Sequence, residues 1–425
     1  MLSITNLLND QISGNEVLRY GHVDPGARHG SPAHHDPGPD PKCRNGACKN
    51  QGCEKRALTT LDPFGGAPRP VVVWALTKAC NLKCVHCYAS ANAKPAPGEL
   101  SDEQGRALLD DLKQFNVPAV LFSGGEPLQR PGAIEMIAYA RSIGLRCTLS
   151  SNGMLIDDTT ADRLRDTGLQ YIGISIDGRR ERHDKLRGQQ GAFDQTLEAI
   201  DRCVRRGIKV GVRFTVHALN QEDLESIFEL CDQHDVSRLC VYHLAYAGRG
   251  GKMCRADLTH EQTRDVLDRI ILRVVSQRDT NRNLEILTVG NHTDGAYLIE
   301  KTRQIDPVRA QQIHTRLRGT GGNRSGQNIA AVDPVGGVHY DQFSWHYTCG
   351  NVKEQPFSTI WGRPRDPRLK MLQNRAKLLP QKCQDCRYLD VCNGNLRTRA
   401  EVSKGDWLGE DPSCYLTPDE RATSR

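Results

Sequence analysis

Three cysteines fall within eight residues in TKACNLKCVHCY (77–88): Cys80, Cys84 and Cys87, spaced C-x3-C-x2-C. Soft thiolates at such spacing suit zinc or an iron–sulfur centre. A structural zinc site takes four ligands, and His86 would complete a Cys3His set. Three thiolates would instead hold three irons of a cubic [4Fe–4S] cluster and leave the fourth iron open to a small molecule. Spacing alone leaves both open. A second group comprises Cys383, Cys386 and Cys392 in KCQDCRYLDVCNGN, with Cys414 in DPSCYL. Its four cysteines suit a closed metal site, either a zinc ribbon or a cluster. A third group, Cys43, Cys48 and Cys53 in CRNGACKNQGC, is either a further metal site or an inert tail. Cys147, Cys203, Cys231 and Cys240 sit among apolar positions and read as small hydrophobes.

The composition sets limits on these readings. A chain of 425 residues with 16 cysteines and no leader-like basic flank and apolar core is expected in the cytoplasm, where cysteines serve metals or catalysis. No stretch approaches the roughly 18 apolar residues of a membrane span. The net charge of +6, without basic blocks, suits an anionic small substrate and argues against nucleic acid.

The elements that must position the cysteines alternate. VVVWALT (71–77), PAVLFS (118–123), LRCTLSS (145–151), YIGISID (171–177), KVGVRFTV (209–216) and RLCVYHL (238–244) read as strands. Helical segments such as SDEQGRALLDDLKQF (101–115), which opens on Ser101 and acidic residues, lie between them. This alternation predicts an α/β fold, a partial (β/α)6 barrel with right-handed crossovers, followed by a cysteine-rich C-terminal cluster-binding extension. The expected organisation is an irregular Gly/Pro/His/Cys-rich extension over 1–70 and the barrel over 71–280. A connecting, substrate-facing region follows over 281–379, then the cysteine-rich extension over 380–425. NIAAVDPVGGVHYDQF reads as a hairpin, and 280–327 has no clear period. Ligand sites in such sheets lie at the carboxyl ends of the strands.

The chemistry-bearing motifs fall at those ends. Cys80, Cys84 and Cys87 follow the first strand. Gly124 and Gly125 after the second let backbone approach a ligand closely, Glu126 offers a carboxylate to an ammonium, and Pro127 closes the motif. Ser151 and Asn152 after the third suit hydroxyls; Ser175 ends the fourth; Arg213 on the fifth is a carboxylate partner. Each is weak alone. On successive strand ends they make one pocket for a ligand with an amine, a carboxylate and a ribose.

C-x3-C-x2-C after the first strand with GGEP after the second resembles the radical S-adenosylmethionine (SAM) enzymes, across about residues 71–245. The resemblance implies a [4Fe–4S] cluster on Cys80, Cys84 and Cys87 whose open iron is chelated by the amine and carboxylate of SAM. It also implies SAM contacts from Gly124, Gly125, Glu126, Pro127, Ser151, Asn152, Ser175 and Arg213. The C-terminal cysteines resemble a SPASM or twitch extension. They imply one auxiliary [4Fe–4S] cluster on Cys383, Cys386, Cys392 and Cys414, with Cys349 a bystander. No acid, base or nucleophile is singled out.

AYAGRG, HYDQFSW, GNVKEQPFSTIW and CNGNLRTRAE further resemble the branch that trims side chains of siroheme-derived tetrapyrroles. One group removes acetates from 12,18-didecarboxysiroheme; the other removes propionates in haem d1 synthesis. SITNLL…EVLRYG resembles the first. The implied partners are a tetrapyrrole and an electron donor such as ferredoxin or flavodoxin. A polyanionic ring calls for arginines and lysines, with Trp345 or Tyr347 to stack and His243, His339 or His346 to touch it; each of these is equally readable as ordinary packing. The rivals are a radical enzyme that modifies peptides, disfavoured by the Gly/Pro-rich N-terminus, and a non-enzymatic zinc protein.

Overall fold

A computed structural model describes residues 1–11, 66–279, 282 and 284–422. Cys43, Cys48 and Cys53 lie outside the described residues. The sheet begins with β1 (Leu2–Ser3) and then runs through β2 (Val71–Ala75), β3 (Val120–Ser123), β4 (Cys147–Ser151), β5 (Tyr171–Ser175), β6 (Lys209–Val216), β7 (Arg238–His243) and β8 (Glu285–Val289). β9 (Ile329–Val332), β10 (Gly337–His339) and β11 (Gly350–Asn351) complete it. The order is β1-β8-β7-β6-β5-β4-β3-β2-β9-β10-β11.

β2 to β8 are parallel neighbours in chain order, with registers such as Trp74↔Phe122 and Gly173↔Gly211. Helices such as Asp102–Gln114, Ala133–Ser142 and Ala192–Arg205 return the chain between strands. The first of these starts at Ser101 as expected, and Ser101 and Gln104 form a capping box there. The core forms where helices cover the outer face: Trp74, Phe122, Leu149, Ile172, Val212 and Val241 are buried there. Residues one step along each strand, including Ser150, Ser175, Arg213 and Tyr242, face inward and are only partly covered. The lumen is therefore polar and open, as a partial barrel around a large polar ligand requires.

The six expected strands are present, and the hairpin is β9–β10. The structure adds β8 as a seventh parallel strand. It also places residues 2–9 on the sheet: β1 pairs antiparallel to β8, with Leu2 opposite Thr288, and Ile4 and Leu7 are buried. The cysteine-rich C-terminal segment is fused to the barrel. Buried Arg399 pairs with Asp411 at 2.9 Å and reaches Leu244 O at 3.2 Å and Gly290 O at 2.7 Å. No helix among the described residues is long and apolar enough to cross a membrane.

Candidate active site and second cysteine centre

β2 delivers the chain into the loop that carries Cys80, Cys84 and Cys87. The loop is tied from two sides. Lys83 N and Val85 N donate to Arg187 O and Leu186 O at 3.2 and 3.0 Å. Arg249, in the AYAGRG stretch, donates to Cys84 O at 2.7 Å and Ala91 O at 2.6 Å. All three thiols are free and pack into one cluster with Leu82, Ala91 and Met154. Cys80 Sγ accepts from Leu82 N at 3.4 Å, and Cys84 Sγ accepts from Arg187 Nη1 at 3.5 Å. Burial pushes the Cys80 thiol up to about 12, with Glu126, Cys84 and Cys87 adding to it. Neutral, crowded thiols of this kind exchange their protons for a metal's positive charge.

Three soft thiols on one loop are donors that suit the irons of a cubane or a zinc ion. His86, the fourth ligand of a zinc reading, is engaged elsewhere: its Nε2 lies 3.1 Å from Asp177.

Asp177 anchors a buried charge network behind the loop. It is 0 % exposed, and Arg187 Nη2 reaches it at 2.5 Å. Burial would raise its carboxyl, but the Arg187 guanidinium and His86 hold it well below the usual carboxylate range. His183 and His217 beside it are pushed down to about 4 by burial and stay neutral. Arg187 therefore reaches Cys84 with its charge already balanced by Asp177. Sequence patterns gave no sign of this, because the partners come from different strand ends.

The GGEP motif is placed against the cysteine loop. Gly125 N donates to Thr77 O at 2.7 Å and Glu126 N to Ala79 O at 2.8 Å. A Cβ on Gly125 would stand 2.1 Å from Ala79 O, so the glycine serves loop-to-loop contact. Glu126 is 1 % exposed and accepts from Ser151 Oγ at 2.9 Å, Asn152 N at 2.7 Å and Leu128 N at 3.2 Å. Burial pushes its carboxyl up to about 7 against those bonds. Asn152 also donates to Asn81 at 2.8 Å and towards Cys80 Sγ at 3.9 Å. Cys80, Glu126, Ser151 and Asn152 thus form one knot joining three strand ends, and Pro127 starts the 3-10 turn beside it.

Ser175 and Arg213 are neighbours in register inside the lumen. Arg213 Nη1 donates to Ser150 Oγ, and its Nε is enclosed without a partner. A Cβ on Gly173 would lie 2.1 Å from that Nε, so glycine makes room for the guanidinium. No carboxylate pairs with Arg213 among the described residues. Tyr88, whose hydroxyl meets Ser123 Oγ at 3.0 Å, is a lumen group that the motifs did not single out.

Most of the suggested substrate contacts are committed within the protein. His243 meets Asp294 at 2.8 Å, His339 meets Asp333 at 3.0 Å, and His346 meets Glu401 at 2.9 Å. Tyr347 donates to Glu401 at 2.8 Å beneath Arg368. Trp345 differs: it stands edge-on to Tyr88, with Lys78 Nζ 5.0 Å from its ring, so it borders the cysteine loop.

Cys383, Cys386, Cys392 and Cys414 line a single cavity with Asn395 and Asp411. The turn after Cys392 places Asn393 and Asn395 at φ 52° and 60°. Burial raises all four thiols, and Cys414 adds to the rise of Cys383, Cys386 and Cys392. Four thiols around one space could hold a closed metal site, either a cluster or a zinc ion. Cys349 is apart, packed on the core with Asp366 and Asp341 as its charged neighbours.

Comparison with known proteins agrees with this geometry. Residues 74–231 match the radical SAM superfamily model. The chain is 46 % identical to Fe-coproporphyrin III synthase of Methanosarcina barkeri, over 86 % of this chain and 92 % of that one. It is 42 % identical to pre-heme d1 synthase of Dinoroseobacter shibae, over 84 % and 89 %. Among solved structures, Streptococcus suis SuiB bound to its precursor peptide SuiA has a TM-score of 0.66 at 17 % identity, over 83 % of this chain and 76 % of that one. That likeness concerns the fold.

Proposed function

The chain belongs to the radical SAM superfamily, among its haem-biosynthesis enzymes, and from that premise we propose that it removes the acetate side chains of 12,18-didecarboxysiroheme to give iron-coproporphyrin. The observation that carries the reading is the near full-length similarity to Fe-coproporphyrin III synthase. The open polar lumen and the unbalanced charge of Arg213 support a large anionic ligand there.

When bound, a [4Fe–4S] cluster and SAM together supply a 5′-deoxyadenosyl radical that takes a hydrogen from the substrate. Cys80, Cys84 and Cys87 hold that cluster. The Glu126 knot fixes the strand ends around SAM, and its backbone neighbours Gly124 and Gly125 set the distance between the two loops. Ser151, Asn152 and Ser175 border the ribose side, and Arg213 takes a carboxylate of SAM. Trp345 and Tyr88 form an aromatic wall for the macrocycle. Cys383, Cys386, Cys392 and Cys414 hold an auxiliary [4Fe–4S] cluster. Electrons come from a ferredoxin or flavodoxin, and the free thiols suit a cytoplasmic setting.

An anaerobic reaction with SAM, reductant and didecarboxysiroheme tests this by mass spectrometry. Deoxyadenosine with loss of both acetate units is expected. Loss of propionate carbons instead would assign the chain to the haem d1 reaction, the reading that the similarity to pre-heme d1 synthase favours. Deoxyadenosine with an intact tetrapyrrole would overturn both.

A further inference from the structure

Two arginines beside the C-terminal cysteines have no acid to balance them. Arg375 is 1 % exposed and Arg397 is 5 % exposed. Neither makes an ion pair among the described residues. Nε and Nη1 of Arg375 and Nη2 of Arg397 are enclosed without any partner. Asp411, the nearest acid to Arg397, is already held by Arg399 at 2.9 Å. The charged groups that face the two guanidinia include cysteines: Cys392 with Asp341 for Arg375, and Cys383 and Cys392 with Asp411 for Arg397, and neither acid forms an ion pair with them. Asn323 couples the first pair directly. Its side-chain oxygen accepts from Arg375 Nη2 at 2.8 Å while its N–H donates to Cys392 O at 3.1 Å.

Burying an unpaired cation is costly, and two near one another more so. Burial and the Arg397 guanidinium push Arg375 down to about 9. Backbone carbonyls of Trp407 and Gly409 accept from Arg397 Nη1 and Asn323 accepts from Arg375, so hydrogen bonds offset part of that cost while no anion balances the charge. Four thiolates on a dicationic cubane core leave two negative charges in excess, which two guanidinia would match.

We propose that Arg375 and Arg397 are the built-in counter-charges of the C-terminal cluster, uncompensated until it assembles and thereafter holding it at a higher reduction potential than its cysteines alone would. The inference rests on the auxiliary-cluster reading above. It makes assembly of that cluster the step that relieves the buried charge, so cluster loading and packing of the C-terminal segment are coupled. The arginines are positioning residues and need not touch the tetrapyrrole.

The test uses full-length protein carrying Cys80→Ala, Cys84→Ala and Cys87→Ala, so that only the C-terminal centre can load. Iron and sulfide are counted, and the midpoint potential is read by redox titration with electron paramagnetic resonance. One cluster is expected in this parent. Arg375→Met and Arg397→Met should each move the midpoint to more negative values, the double variant further still, and the matching Lys variants should restore most of the shift. Should a Met variant fail to load, recovery of the cluster by Lys supports the charge role, and failure of both overturns it. Loaded Met variants with the parent's midpoint also overturn it. A parent without C-terminal iron overturns the cluster reading itself, an outcome distinct from these.

Discussion

The two cysteine centres handle charge in opposite ways. At the barrel mouth three thiols lie on one loop, and the arginine that touches Cys84 is neutralised by buried Asp177. At the C-terminus four thiols come from two segments, and the adjoining Arg375 and Arg397 have no acid of their own. A centre that must admit a charged small molecule is backed by a balanced pair, so the protein adds a hydrogen bond to sulfur without filling the site with net charge. On the proposed reading, the centre closed by four thiolates carries its counter-charge in the protein.

The largest expected effect breaks the first centre. Cys84→Ala should abolish SAM cleavage, with deoxyadenosine at the level of a reductant-only control by liquid chromatography. Cys386→Ala should leave SAM binding intact and reduce iron to about half, since only one of two clusters is lost. Tetrapyrrole turnover should fall at least about tenfold. Equal turnover would remove the C-terminal centre from the mechanism.

Asp177→Asn turns the balanced pair into an unbalanced one. Leaving a buried partner charge uncompensated costs about 3–5 kcal/mol, read by anaerobic urea unfolding against the wild type. The pH dependence has a definite sign. The folded carboxyl of Asp177 lies below its unfolded value, so its stabilisation is fully present above the unfolded range, about 4, and is lost as pH falls further. The gap between wild type and variant should stay constant from about pH 8 to about pH 5 and narrow only in stronger acid.

The strands that hold both centres were legible because parallel strands covered on both faces are written as short β-branched runs with Gly, Pro and Asp between them. KVGVRFTV and β6 coincide residue for residue. β1 was not legible: two residues that pair with a strand more than 280 positions later carry no local period. β8 was missed within 280–327 for the same reason, a single five-residue strand in a long stretch of helices. Among the site residues, the two cysteine sets could be read from spacing. Glu126 was placed correctly at the strand end but expected to face a ligand, whereas it bonds Ser151 and Asn152. Arg187, Arg375 and Arg397 were not singled out, because no local pattern marks an arginine as buried.

Arg213 sharpens the comparison at its finest point. It pairs with no acid among the described residues, and it faces the lumen, with Ser150, Ser175 and tyrosines around it. If unbalanced arginines mark where an anion arrives, the mouth centre receives its anion on the lumen side, through a ligand, while the C-terminal centre meets its own as the cluster assembles. Arg213→Met should therefore leave iron content unchanged and weaken SAM binding about 10- to 100-fold, the equivalent of losing one charge-assisted hydrogen bond of about 1.5–3 kcal/mol. Arg213→Lys keeps the charge but not the fork and should recover only part of it. The measurement is SAM titration followed by the change in the cluster's paramagnetic resonance. A raised KM for the tetrapyrrole with unchanged SAM affinity would reassign the arginine to a substrate carboxylate. Unchanged values for both ligands would show that an unbalanced buried arginine is no guide to the ligand side of such a centre.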